Sequence, residues 1–98
     1  ILGITRSFAY VLGKDGVRVN AMCPGIIDTP MQDKVLEAVG PMRGTTAAAL
    51  NEARMKLVPL GRVASPAECA GAIWWHLSDE AGYMTGQAIN YTGGLVMW

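Results

Sequence analysis

Apolar residues recur at helical spacing over the first dozen positions of the chain. Ile1, Ile4, Phe8, Val11 and Leu12 fall on one face of a helix. No Ser, Thr, Asp or Asn precedes this face as an N-cap, and no Pro stands in a first turn. Because a helix start needs partners for its free N–H groups, the pattern predicts a helix that begins upstream of Ile1.

A short strand and a Pro-Gly turn follow this helix. Val17–Cys23 follows two glycines and has an apolar side chain at every second position from Val17, and Pro24-Gly25 ends this short β-prone run. Asn20 lies inside this run, where its amide is expected to pair with neighbouring backbone groups. A helix, a turn, a strand and a loop form half of a βαβ unit, and ligands of open parallel sheets lie at the C-terminal strand ends. The pattern therefore predicts an α/β fold with a candidate ligand loop after Cys23.

The middle of the chain predicts two short helices. One spans Asp28–Val39 and ends near Gly40-Pro41, and the other spans Thr45–Val58. The apolar side of the second helix comprises Leu50, Ala53, Leu57 and Val58. Two helices that follow a strand-end loop are typical of a substrate lid, here residues 31–58. The alternative is a surface excursion with no special role.

The clearest local signal begins the last third of the chain. Ser65–Glu68 offers a serine N-cap, a proline at the first helical position and a glutamate that completes a capping box. The predicted helix runs to about Ser78. Gln87–Tyr91 is predicted to be a strand, and the apolar tail Leu95–Trp98 is expected to dock on another surface.

Composition limits the classes of function. The 98 residues are 51% hydrophobic and 16% charged, which is enough for one small domain with more apolar surface than it can bury alone. Eight basic and eight acidic residues cancel, which argues against nucleic acid as a partner, and the apolar runs are too short to span a membrane. Because Ile1 is neither Met nor followed by a charged n-region, we expect no signal peptide. Cys23 and Cys69 lack metal-site spacing, so we expect no metal and two reduced thiols in the cytoplasm, with a disulfide as the alternative.

Four segments resemble the classical short-chain dehydrogenase/reductase family. They are ITRSFAYVLGKDGVRVNAMCPGIIDTPM at Ile4–Met31, PLGR at Pro59–Arg62, the helix start at Ser65 and MTGQAINYTGG at Met84–Gly94. Their order and spacing resemble the C-terminal third of that family over essentially the whole chain. The resemblance implies that residues 1–98 are the C-terminal portion of one NAD- or NADP-binding Rossmann domain with a doubly wound, mostly parallel sheet.

The resemblance also implies which functional parts lie elsewhere. The family's glycine-rich phosphate loop, its catalytic serine and its tyrosine–lysine pair are not among these residues, so no catalytic residue is assigned. The pair is expected a few residues before Ile1. Tyr10 and Lys14 have the pair's spacing but lie near the exit of their helix, and we interpret this as coincidence. His76 is expected to be a structural residue.

The resemblance assigns a nicotinamide pocket to the loop after the first strand. Pro24, Gly25, Ile27 and Thr29 would line it. Gly25 would let the backbone approach the ring, Ile27 would offer backbone groups to the carboxamide, and Thr29 would offer a hydroxyl. The alternatives are a plain strand-ending turn and, at Thr29-Pro30, a helix N-cap with a first-turn proline.

The lid would contribute the substrate contacts. Met31, Val35 and Leu36 are the candidates for an apolar substrate-pocket wall, although core packing produces the same spacing. Arg43 and Arg54 could contact an anionic substrate, whereas lone arginines more often lie in solvent.

The function that these expectations imply is hydride transfer between NAD or NADP and a secondary alcohol or ketone. The substrate would be a small molecule, and the chain's ending resembles the sugar-alcohol and ketose-reducing branch. A homotetramer is the form that the resemblance implies. The alternatives are a non-catalytic protein that binds nucleotide or partners, and an inactive fragment that acts as an assembly piece.

Overall fold

The computed structural model describes residues 1–97 and contains helices on a short parallel sheet. The elements are α1 (Leu2–Leu12), β1 (Ala21–Pro24), α2 (Pro30–Met42), α3 (Ala47–Lys56), α4 (Pro66–Leu77) and β2 (Ala88–Tyr91). Single 3-10 turns at Gly13–Asp15 and Asp79–Ala81 follow α1 and α4. Trp98, the last residue of the predicted docking tail, lies outside the described residues.

β1 and β2 pair in parallel, with Ala21 opposite Ala88 and Pro24 opposite Tyr91. Parallel neighbours need a crossover connection, and the chain from 25 to 87 with its three helices provides it. This arrangement is the α/β pattern that the sequence predicts, and it places the C-terminal ends of both strands side by side.

The first strand is shorter than Val17–Cys23 and extends one residue further. Before Ala21, side chains take part in the hydrogen bonds of this segment. The N–H of Val19 donates to Thr85 Oγ1 at 3.0 Å. Arg18 donates to two carbonyl oxygens, those of Met84 at 3.3 Å and Ser78 at 3.2 Å. The N–H of Gly86 also donates to the carbonyl of Val19 at 2.8 Å, so residues 17–20 attach to the segment before β2 through side chains and one backbone bond.

Asn20 joins the entries to the two strands. Its Nδ2 donates to the carbonyl of Met84 at 2.9 Å, and its Oδ1 accepts from the N–H of Gln87 at 3.1 Å. Both ends of the amide thus pair with backbone groups beside the strand, as the sequence predicts.

α2 continues past its predicted end near Gly40-Pro41. Pro41 lies inside the last turn, and the N–H of Arg43 closes that turn on the carbonyls of Val39 and Gly40. Gly40 does not end α2 but lies at its contact with the start of α3. A Cβ on Gly40 would lie 3.0 Å from the backbone of Thr46 and Ala47. The missing side chain lets the start of α3 pack directly on α2.

The buried residues of α1 are Thr5 and Ala9, whereas its larger apolar side chains, apart from the half-buried Leu12, are exposed in residues 1–97. The Cβ of Ala9 lies 3.5 Å from where a Cβ on Gly86 would stand, so this small-residue stripe faces the entry to β2. Of the apolar side predicted for the second lid helix, Leu50, Ala53 and Leu57 are not buried. Val58 is buried, but it lies after α3 ends at Lys56.

The described helices are too short or too polar to cross a membrane. Residues 1–97 also contain no group of three or more His, Cys, Asp or Glu side chains arranged to hold a metal ion.

Candidate functional site

The loop after β1 continues the sheet beyond the strand. The N–H of Gly25 donates to the carbonyl of Tyr91 at 2.9 Å. Ile27 then forms an isolated parallel bridge with Ala64. In that bridge, the N–H of Ala64 donates to the carbonyl of Ile26 at 3.1 Å, and the N–H of Asp28 donates to the carbonyl of Ala64 at 2.8 Å. The loop is therefore held on both sides, by β2 and by the segment before α4.

Ile27 itself keeps its backbone groups open. Its neighbours direct a carbonyl and an N–H toward Ala64, and successive residues of extended backbone point these groups to opposite sides. Within residues 1–97, neither the N–H nor the carbonyl of Ile27 forms a hydrogen bond. The residue is half-buried, and unpaired backbone groups at such a position are normally matched by water or a ligand. The loop thus presents one donor and one acceptor side by side.

Gly25 sits where the loop crosses the end of β2. A Cβ on Gly25 would lie 3.0 Å from the Cα and 3.1 Å from the Cβ of Thr92. Both neighbouring atoms are close to the main chain, so a larger side chain would push the two strand ends apart. Pro24, paired with Tyr91, fixes the start of the loop on the sheet.

Thr29 is the N-cap of α2, which is the alternative to a cofactor contact. Its Oγ1 accepts from the N–H of Gln32 at 3.3 Å, and Pro30 occupies the first helical position. A threonine hydroxyl has one proton to donate besides its lone pairs. Capping the helix therefore leaves that proton available to a carboxamide or phosphate oxygen.

The three candidate lid residues lie in different environments. Met31 is 66% exposed and Val35 is 41% exposed, whereas Leu36 is 8% exposed. Of the three, Leu36 lines a cleft of about 150 Å³ between the loop, α2 and α3. The structure thus brings one predicted apolar residue to the cleft and leaves the other two on the surface of residues 1–97.

Most of the remaining side chains of this cleft are polar, and of these only Arg54 was predicted as a substrate contact. They are Asp28, Gln32, Asp33, Asn51 and Arg54. Arg54 Nη2 donates to Gln32 Oε1 at 3.0 Å and thereby links α3 to α2. One signal for this face was present, because Gln32 and Leu36 are four residues apart and share one side of a helix.

A second cluster ties the turn before α4 to the sheet. Arg62 donates both Nη1 and Nη2 to the Glu68 carboxylate, each at 2.9 Å, and the Ser65 N–H adds a bond at 3.1 Å. The hydrogen bonds from Arg62, then those from Ser65, lower the pKa of Glu68 to about 2. The Tyr91 hydroxyl donates to the Glu68 carbonyl at 3.1 Å. The predicted capping box is confirmed, and it connects α4 to the end of β2.

His76 and Tyr10 have surroundings that suit structural roles. Nδ1 of His76 lies 2.7 Å from the carbonyl of Ala72, and the ring meets Trp75 edge-on with centroids 5.5 Å apart. Tyr10 is 90% exposed. Neither forms a hydrogen bond with the loop after β1 in the described chain.

Comparison with known proteins gives this arrangement a family. The model of a protein family described as enoyl-(acyl carrier protein) reductase matches residues 1–96. The chain is 38% identical over 97 residues to a 3-oxoacyl-(acyl-carrier-protein) reductase of Thermotoga maritima, covering 99% of this chain and 35% of that protein.

Two solved structures are also similar. Sorbitol-6-phosphate 2-dehydrogenase from Erwinia amylovora superposes with a TM-score of 0.92 at 32% identity, covering 99% of this chain and 38% of that one. L-sorbose reductase from Gluconobacter frateurii, complexed with NADPH and L-sorbose, gives a TM-score of 0.86 at 28% identity, with coverages of 99% and 37%.

The chain spans little more than a third of the length of the curated relatives it matches. The similar structures confirm the α/β, Rossmann-type fold, with these residues as a C-terminal portion of it. Together with the match over residues 1–96, they establish that the chain belongs to the classical short-chain dehydrogenase/reductase family.

Proposed function

We propose that this chain is part of a longer protein, an oxidoreductase that transfers hydride between NAD or NADP and a secondary alcohol or ketone. The observation that carries the proposal is the open N–H and carbonyl of Ile27, held between two bridged neighbours at the C-terminal end of β1. A primary carboxamide has one acceptor oxygen and an NH₂ donor, so it can satisfy both groups at once. Ligands of open parallel sheets bind at this end of the strands.

In this proposal the chain holds the nicotinamide ring rather than reacting with it. Bound NAD or NADP supplies or accepts the hydride. The N–H of Ile27 would donate to the carboxamide oxygen, and its carbonyl would accept from the carboxamide nitrogen. Fixing the carboxamide fixes which ring face meets the substrate, which lowers the entropic cost of reaching the reactive geometry. Gly25 lets the loop pass close to Thr92 at the end of β2, Pro24 anchors the loop on the sheet, and Thr29 offers its free hydroxyl proton.

None of these residues is assigned the proton transfer that accompanies hydride transfer. The sequence resemblance puts that step on a serine and a tyrosine–lysine pair outside the 98 residues. The role proposed for this chain is therefore positioning at the loop and enclosure of substrate at residues 31–58. Met31, Val35 and Leu36 remain the proposed apolar substrate contacts, with Leu36 at the cleft itself.

For the substrate we propose a polyol or sugar. The chain's similarity to a sorbitol-6-phosphate dehydrogenase and an L-sorbose reductase supports this class. The second candidate is a 3-oxoacyl thioester, which the similarity to the Thermotoga maritima reductase favours. The two classes differ in what the lid must contact, since a polyol needs hydrogen-bonding groups and an acyl chain needs an apolar wall.

We further propose that the longer protein is a cytoplasmic homotetramer. Cys23 and Cys69 are free thiols, which supports a reducing compartment. Large apolar side chains such as Phe8, Val11 and Met97 are exposed in residues 1–97, which supports burial against further protein. Sedimentation of the longer protein tests the assembly: a tetramer mass is expected, and a monomer at micromolar concentration would contradict it.

The function is tested by incubating the longer protein with NAD⁺ or NADP⁺ and a panel of secondary alcohols, and following reduced nicotinamide by absorbance. The expected result is turnover of at least one alcohol class with a preference for one cofactor. Tight cofactor binding without turnover of any alcohol or ketone would instead support a non-catalytic nucleotide-binding protein.

A further inference from the structure

The cleft between the loop, α2 and α3 is polar in a specific way. Arg54 reaches it from α3 and has its Nη2 fixed on Gln32 Oε1, which holds the guanidinium in one orientation. Arg54 forms no ion pair in residues 1–97, so its remaining N–H donors are open. Asn51 lies one helical turn before it, lines the same cleft, and has no side-chain hydrogen bond in the described chain.

Two exposed carboxylates line the same cleft. Asp28 lies at the end of the Ile27 loop and Asp33 lies in the first turn of α2. Neither carboxylate forms a hydrogen bond through its side chain or an ion pair within residues 1–97. The cleft thus combines open donors on α3 with open acceptors on the loop and α2. A carboxylate accepts two or more hydroxyl protons and a guanidinium donates to hydroxyl oxygens, so this set matches neighbouring hydroxyl groups.

From these contacts we propose that the cleft binds the hydroxyl-bearing tail of an uncharged polyol, with Arg54 and Asn51 as specificity-determining residues. This inference rests on the proposed hydride transfer and names the substrate end that lies away from the reacting carbon. The cleft adjoins Ile27, so a substrate seated there extends from the nicotinamide loop toward α3.

The charge balance selects against a phosphorylated substrate. Two carboxylates and one guanidinium line the cleft, so its net charge is negative at neutral pH. A phosphate group carrying nearly two negative charges would meet repulsion from Asp28 and Asp33 that the single Arg54 does not offset. An unbranched acyl chain would offer no hydrogen bonds to the half-buried side chains of Asn51 and Arg54.

The experiment compares three substrates on the longer protein: a neutral polyol, its terminal phosphate ester, and a simple secondary alcohol of equal carbon number. The wild type should favour the polyol over both others. Arg54→Met should lower kcat/KM for the polyol on the order of 10- to 100-fold, mainly through KM, and leave the simple alcohol within about twofold. Asn51→Leu, which removes an amide without breaking a described hydrogen bond, should act in the same direction.

Arg6→Met is the matched control, because Arg6 is exposed on α1 and does not line the cleft. It should leave all three substrates unchanged. Preference for the phosphate ester, or equal loss for polyol and simple alcohol in Arg54→Met, would overturn the assignment while leaving hydride transfer intact. Calorimetry separates the other failure: polyol binding that Arg54→Met abolishes, with no turnover by the wild type, would uphold the cleft and overturn the proposed function.

Discussion

Gly25 touches Thr92 so closely that a Cβ on Gly25 would lie 3.0 Å from the Cα of Thr92. This contact fixes the distance between the end of β1 and the end of β2. It thereby fixes where the following loop, with the open backbone groups of Ile27, sits relative to the sheet.

Replacing Gly25 with alanine should disturb both stability and cofactor binding. The added methyl forces main-chain atoms of two strands apart, and overpacking of this kind costs about 1–3 kcal/mol. The hydrogen bond from the Gly25 N–H to Tyr91 should weaken with it. Urea unfolding and NAD(P) titration of the longer protein measure the two effects. Gly71→Ala is the control, because nothing lies within 4 Å of a Cβ there and alanine favours the helix. Equal behaviour of the two variants would contradict the close contact.

Asn20→Ala should destabilise the protein by about 1–3 kcal/mol, since it removes the acceptor of the Gln87 N–H and one donor to the Met84 carbonyl. The free energy of unfolding in urea is the measurement. Gln87→Ala keeps its backbone N–H and removes an exposed side chain whose amide makes one long bond of 3.3 Å, so it should stay within about 0.5 kcal/mol of wild type. A loss confined to Gln87→Ala would refute the bridging role of Asn20.

Thr29 is expected to act twice, and two substitutions separate the roles. Thr29→Val removes the oxygen that caps α2 and should cost about 1 kcal/mol of stability, whereas Thr29→Ser retains it. If the hydroxyl proton also serves the nicotinamide, cofactor affinity should fall in the valine variant and persist in the serine variant. Unchanged cofactor affinity in Thr29→Val would restrict Thr29 to capping.

The ion pair of Arg62 and Glu68 should give stability a pH dependence in acid. The pKa of Glu68 is lowered from 4.5 to about 2 in the folded protein. The unfolded chain therefore binds the proton first, so this contribution is complete above about pH 4.5 and is lost as the pH falls toward 2. Because the pair is exposed, added salt should reduce the effect.

Urea midpoints at neutral pH and at about pH 3 measure this dependence. Glu68→Gln should show a smaller drop between the two conditions than wild type. Glu80→Gln, at an exposed side chain that forms no hydrogen bond or ion pair in residues 1–97, should drop as much as wild type. Identical drops in all three proteins would rule out the contribution of the pair.

Local sequence signals predicted the parts of the fold that neighbouring residues decide. The capping box at Ser65–Glu68 was predictable because its serine and glutamate are three residues apart and satisfy each other's backbone groups. The bounds of β1 were not, because Arg18 and Val19 are held by residues more than 55 positions later in the chain. Nothing in the periodicity of Val17–Cys23 reveals those partners.

The candidate site shows the same division. A Pro-Gly after a strand located the loop, and the family resemblance named its residues. The unpaired backbone groups of Ile27 lie beside a bridge to Ala64, which is distant in the sequence. The cleft forms where Gln32 of α2 and Arg54 of α3 meet. Such pairings arise only when separate elements pack, so hydrophobic spacing indicated Met31 and Val35 instead, which are exposed within residues 1–97.

The loop after β1 is proposed to hold a nicotinamide for hydride transfer. The longer protein is incubated with NAD⁺ or NADP⁺ and a polyol that carries deuterium on its secondary carbinol carbon. The mass of the recovered reduced cofactor is then measured. One deuterium per molecule is expected on the ring, bound to a single face, and Gly25→Ala should lower the rate of its appearance. Reduced cofactor without deuterium, or no reduction with any deuterated secondary alcohol, would contradict it.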